Sequence, residues 1–500
     1  MAGGHSVITS GRPRRWRCPG EETLLSGPGS WCSRNTATTP KEVSMKLGLQ
    51  LAFLLATATF ACNPSPVSRQ TGDTGGTPSG PRVVKIAPAD LPAGGQAIDT
   101  RYRPRVRDQA LEDIRQRDRK WQDEQDAETA AIRKRQAERK ERERREEREL
   151  VSSLPESERP TSVEQFQQIP HLPPVRQYYT GTCWSFSTTS FMESEVIRKT
   201  SRKIKLAEMS TVYYEYLAKA ARYLDERGDS LFAEGSESNA LTRIWREHGA
   251  WPLSAYPGFT GPDPRHDHLR MFREMKALLE ALAGKNLWDR ESGLHMLQVI
   301  LDRHLGPPPQ QFEYQGQSYT PRQFMQQVLH IDPDEYVGFV STLSEPFYRT
   351  VEFKVPDNWW HDSSYHNLPL DEFYQGLKEA VTKGYGVIVG VDVSEPGKDP
   401  EHDTLFVPPY DIPGDHIDQL AREYRLAHHV TTDDHGVHVV GYTRHAGHDW
   451  FLFKDSGSSA QRGSHRGYYF MRDDYVRLKV LSFMVHRDAV VDLLARFKRG

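Results

Sequence analysis

Cysteine is scarce in this sequence. Four thiols, Cys18, Cys32, Cys62 and Cys183, are spread over 500 residues, which leaves no cysteine cluster for a metal. An excess of one charge is missing too. The net charge of -3 gives the whole chain no electrostatic footprint for nucleic acid. Long apolar runs are lacking: Leu47 to Ala58 is too short to commit to crossing a bilayer. With 37% hydrophobic and 27% charged residues and a mean hydropathy of -0.69, part of the chain is not core-forming. The length accommodates two to four domains.

The N-terminal third is built in blocks. Residues 1–44 are rich in Gly, Ser, Thr, Arg and Pro without periodicity and are expected to be a disordered or untranslated leader. Met45-Lys46 then opens a short basic start, an apolar run and a close at Thr59-Phe60-Ala61-Cys62. This resembles a bacterial lipoprotein signal. The resemblance implies a signal peptide over 45–61, lipidation of Cys62 and a lipid-anchored place in the cell envelope, with secreted or periplasmic as the alternative. On that reading Met45 is the true start and Cys183 is the one free thiol of the mature protein. Residues 62–104, rich in Pro, Gly, Ser and Thr, are expected to be a flexible linker. Residues 105–150 mix Arg, Glu, Lys, Gln and Ala, which predicts a solvated helix laced with i,i+4 pairs. A spacer is the reading preferred over an inhibitory pro-segment.

The chemistry concentrates at Gly181-Thr182-Cys183-Trp184-Ser185-Phe186. A glycine-led turn delivers a cysteine to the start of an amphipathic run, with Phe186, Phe191, Met192, Val196 and Ile197 at helix-like intervals. A cysteine in the first turn of a helix sits at the positive end of the macrodipole, which favours thiolate, the nucleophilic form. Six residues upstream, the Gln177 amide could donate to a developing oxyanion.

Gln177 with this hexapeptide resembles the active-site motif of papain-like cysteine peptidases. The resemblance covers about residues 165 to 485. It implies an α+β, two-lobed fold, with a helical lobe, an antiparallel β lobe and a cleft between them. It also implies a cysteine peptidase acting on peptide or protein substrates, with no cofactor and no metal. Glu234-Gly235-Ser236-Glu237 resembles the family's cleft-lining stretch, so Gly235, Ser236 and Trp184 are candidate substrate contacts. Ser236 stands where the family has a second glycine. Gly249-Ala250-Trp251-Pro252 and Thr320-Pro321-Arg322-Gln323-Phe324 are similar to the bleomycin hydrolase and aminopeptidase C branch. That branch implies aminopeptidase action and homo-oligomers as options. The peptidase domain is expected over 151–500, with a helical insertion at 258–380.

The resemblance also picks the partners of Cys183. His435 opens His435-Gly436-Val437-His438-Val439-Val440-Gly441-Tyr442 and takes the place of the general base. His438, three residues on, points to the other face of the strand and is read as structural. Asp455 occupies the family's asparagine position. Gly457 replaces the tryptophan that would shield the histidine's bond, leaving a residue such as Trp450 to cover it. The main alternative is a catalytically degenerate papain-fold lipoprotein that binds peptides. A different Cys-His class, such as a cell-wall amidopeptidase, lacks Gln177 at this offset.

Helices are expected at 187–224 with a break near Lys203, and at 266–284, 290–304, 321–330 and 371–383. Strands are expected at 386–393, 436–442, 450–454 and 467–471, with 394–430 as surface loops.

Overall fold

The computed structural model describes residues 102–394 and 396–497. The expected leader, the signal segment, Cys62 and nearly all of the 62–104 linker lie outside them. The chain divides into two units between Asp126 and Ala127, inside the helix Gln109–Glu146. That helix buries no side chain and carries i,i+4 pairs such as Arg145 with Glu141 at 3.2 Å. A sequence without an apolar stripe has no face to pack.

In the second unit the helix Cys183–Thr200 is the centre. Its side chains from Trp184 to Ile197 are all buried, so it is enclosed on every side rather than amphipathic. One flank meets the helix Glu208–Asp225 and the other meets the strand His435–His445. Several of its hydroxyls are satisfied by backbone, Ser185 donating to the Glu208 carbonyl at 2.9 Å and Thr188 to the Trp184 carbonyl at 2.7 Å, while those of Thr189 and Ser194 are buried without a partner. Such bonds let small polar residues line a buried helix. Ser201 ends the helix with φ 58, close to the expected break near Lys203. Tyr213 and Tyr216 are buried core residues, with Tyr214 and Leu217 packed at the edge.

The helices Leu269–Gly284, Arg290–Leu305 and Leu370–Thr382 stand close to where apolar spacing put them. The expected helical insertion is helical only in its first part. Its later strands, Tyr336–Val340, Thr350–Val351 and Tyr365–Asn367, join the main sheet. The region 394–430, expected as loops, contains the helix Gln419–Ala427. There Arg422, 1% exposed, donates to the carbonyls of Ser341, Arg477 and Leu481.

The sheet runs in the order 350–351, 365–367, 336–340, 480–486, 387–391, 435–445, 448–454, 468–472, 404–405 and 398–399. It is antiparallel except where 336–340 meets 365–367 and where 468–472 meets 404–405. One face, with Ile388 and Met484, packs into the core of the Cys183 helix. The other, with Phe339, Val389, Val437 and Phe483, is covered by the helix Leu370–Thr382 and by Leu493 of the last helix, Val491–Phe497. Phe497 packs against His366 and Tyr348 on that side.

Candidate active site

Cys183 is the first residue of its helix, so its backbone N–H is among the first-turn donors without an intrahelical acceptor. The turn before it is tied down. Gly181 N–H donates to Glu234 Oε2 at 2.7 Å, and the Thr180 and Thr182 hydroxyls lie 2.7 Å apart. Gln177 is 9% exposed. Its Oε1 accepts from the Ser456 hydroxyl at 2.7 Å and its Nε2 donates to the Thr180 carbonyl at 2.7 Å. One N–H of that amide is left over by this count. Gln177 is therefore clamped between the turn of Cys183 and the residue after Asp455.

His435 starts its strand. Its Nε2 lies 2.7 Å from Asp455 Oδ1, with the side chains 11% and 4% exposed. The Cys183 thiol is its other hydrogen-bond partner, which leaves Nδ1 for the sulfur. Burial alone would lower the imidazole pKa. The Asp455 carboxylate and Cys183 outweigh it and hold His435 well above its ordinary value. Asp455 is the mirror case: burial pushes its carboxyl up, but His435 and the Gly457 N–H hold it below the usual range. The structure thus gathers Cys183, His435, Asp455 and Gln177 in one place.

Gly457 donates its N–H to the same Asp455 Oδ1 at 2.7 Å. A Cβ on Gly457 would stand 3.1 Å from that oxygen and 3.5 Å from His435 Nε2, so backbone covers the bond where the family has an indole. Trp450 does not take that place. It is packed with Phe166, Val440, Leu452 and Phe470 in a separate cluster. His438 is buried against Ser190, 2.9 Å from its hydroxyl, and burial keeps its ring far below the ordinary histidine value.

The candidate substrate contacts divide. Trp184 is 2% exposed and its indole N–H donates to the Glu234 carbonyl at 3.1 Å. The Ser236 hydroxyl donates inward to Glu215 at 2.6 Å. Neither side chain faces the surface, so both hold the stretch in place. Gly235 is half-buried, and a Cβ there would meet the Asp357 carboxylate at 2.3 Å; only glycine allows that approach. The sequence reading missed Lys219, which donates to the carbonyls of Ala233 and Gly235. It also missed Asp357 and Asp433. Asp433 could have been noticed by alternation, two residues before His435; Asp357 left no local signal.

Residues 271–498 match the family described as Peptidase C1-like; the match begins after Cys183 and includes His435 and Asp455. No curated protein matches the sequence. Among solved structures, PepW from Lactobacillus rhamnosis HN001 superposes with a TM-score of 0.53 at 17% identity, over 68% of this chain and 85% of that one. A structure concerning the mite allergens Blo t 1 and Der p 1 gives 0.33 at 12%, over 67% and 74%. Digestive procathepsin L 3 of Tenebrio molitor gives 0.30 at 15%, over 67% and 73%. The fold is papain-like, and the family match at residues 271–498 covers less than half of the chain.

Proposed function

We propose that this peptidase hydrolyses peptide bonds through Cys183, His435 and Asp455, with Gln177 as an oxyanion donor. The observation that carries the reading is His435 held between the Cys183 thiol and the Asp455 carboxylate. An imidazole kept protonated beside a thiol supports a thiolate–imidazolium pair. The thiolate attacks the carbonyl carbon, and the C=O π electrons move to oxygen. The remaining Gln177 N–H and the Cys183 backbone N–H are the donors available to that oxyanion. When the C–N bond breaks, His435 gives its proton to the leaving amine and a thioester remains. His435 then takes a proton from water, whose oxygen displaces the sulfur and releases the acid.

Aminopeptidase action is the finer form of this reading. We further propose that the enzyme works at the cell envelope, tethered through Cys62. Among the described residues, no helix is long and apolar enough to cross a membrane. Fluorogenic peptides with free and blocked amino termini, tried on the native protein and on Cys183→Ala, test the proposal. Turnover that vanishes in Cys183→Ala, with rapid labelling of Cys183 by a thiol-directed inhibitor at neutral pH, is expected. Slow, ordinary thiol reactivity without turnover would instead favour the peptide-binding alternative.

A further inference from the structure

The loop that anchors the nucleophile turn continues into acidic groups that the catalytic reading leaves unused. Glu234 binds the Gly181 N–H. Three residues on, Glu237 is 3% exposed. Its Oε2 accepts from the Tyr365 hydroxyl at 3.3 Å; its Oε1 is buried with no ordinary donor, and the hydrogen bond between Glu237 and Asp433 needs a proton held between two carboxyls. The group beside it is the carboxyl of Asp433, another acceptor. Asp433 lies two residues before His435, so their Cα atoms are within about 7 Å of each other. A third carboxyl, Asp357, lies over Gly235.

Glu237 is interior, whereas Asp357 and Asp433 are half-buried, so the group opens outward through its two aspartates. The basic side chains packed nearby have other bonds. Lys219 donates to the carbonyls of Ala233 and Gly235, and Arg243 pairs with Glu215. Burial, then Asp433, pushes Glu237 well above the carboxylate range, and burial pushes Asp433 up to about 6. Acceptors crowded in this way call for a proton or a cation between them.

We propose that Asp357, Glu237 and Asp433 receive a positively charged group of the substrate, an ammonium or a guanidinium, within two residues of the bond cleaved. The proposal rests on the cysteine peptidase reading and adds its substrate class. Such groups bring several N–H donors, which match carboxylate oxygens in charge-assisted hydrogen bonds. The cation comes either from the substrate's own amino terminus, as an aminopeptidase requires, or from a lysine or arginine side chain.

Quenched peptides of one parent sequence test this, with lysine or neutral norleucine walked through the two positions on each side of the cleaved bond. A parallel pair carries a free or an acetylated amino terminus. The native enzyme is expected to prefer the cation at one position by about tenfold or more in kcat/KM, less so in high salt. Asp357→Asn and Glu237→Gln should each collapse that preference, with thermal melts confirming that the variants fold. A preference confined to the free terminus assigns the site to the α-ammonium; one at an internal lysine assigns it to a side chain. Equal turnover of cationic and neutral peptides by the native enzyme would overturn the inference and leave the peptidase reading standing, as would a preference that survives both substitutions. Failure to cleave any peptide would sink the peptidase reading itself.

Discussion

Asp455 Oδ1 lies 2.7 Å from His435 Nε2 and at the same time accepts the Gly457 N–H at 2.7 Å. One oxygen therefore fixes both the ring of the histidine and the turn above it. Asp455→Asn keeps the shape but removes the charge. His435 should then lose its proton at lower pH, and the alkaline limb of kcat/KM should move to lower pH. A fall in kcat of about 10²-fold is expected. A pH–rate profile of the two proteins checks both, and an unmoved alkaline limb would count against the pair.

The same pair acts on stability with a definite sign. The His435 pKa is raised on folding, so its contribution is complete below the unfolded value of about 6.5 and is lost as pH rises through the folded value. Asp455 is depressed on folding, so its contribution is present above about 3.9 and is lost as pH falls through the folded value. Melting curves of native protein and Asp455→Asn should differ most between those limits and converge outside them.

His268 adds an acid weakness. It is 2% exposed, and burial lowers its pKa to about 3. A buried neutral histidine stabilises above the unfolded value and must charge on unfolding, so stability should fall as pH drops from about 6.5 toward 3. His268→Phe should flatten that slope in a pH series of thermal melts, whatever it does to the melt at pH 7.

Gln177→Ala should lower kcat by about 10²–10³-fold with a smaller change in KM. The clamp to Ser456 and Thr180 goes with it, so the melt should be recorded alongside. A variant with native kcat would remove Gln177 from the oxyanion site.

Gly457→Ala tests the backbone cover. Its Cβ would press on an Asp455 oxygen that two hydrogen bonds already hold. The carboxylate has little room to yield, so turnover should fall several-fold without loss of fold. Steady-state kinetics would show it, and a faster enzyme would mean that added shielding outweighs the crowding.

Cys183, His435 and Asp455, which the structure brings together, were legible as a candidate site because each sits in a short local pattern that the family resemblance picks out. A turn-borne cysteine, a histidine opening a β-branched strand and an acid ending the next strand carry that resemblance. Ser236 and Trp184 were not legible in the same way. Whether they face cleft or core depends on Glu215 and on the Glu234 carbonyl, the one 21 residues before Ser236 and the other 50 after Trp184. The Cys183 helix was read as amphipathic from the helix-like intervals of its apolar residues, but its serines and threonines from Ser185 to Ser194 are buried too. The hydroxyls of Ser185, Ser187 and Thr188 bond to backbone carbonyls, and those of Thr189 and Ser194 are simply enclosed. Arg422 escaped for a like reason: three distant carbonyls satisfy a charge that the sequence suggests is exposed.

The final described helix, Val491–Phe497, bears on handling the protein. Phe497 is seated by His366 and Tyr348 on the side of the sheet away from the Cys183 helix. An affinity tag or surface attachment joined downstream of it would leave from the back of the molecule. Immobilising the enzyme by that end should keep Cys183 open to solution and to whatever is passed over it.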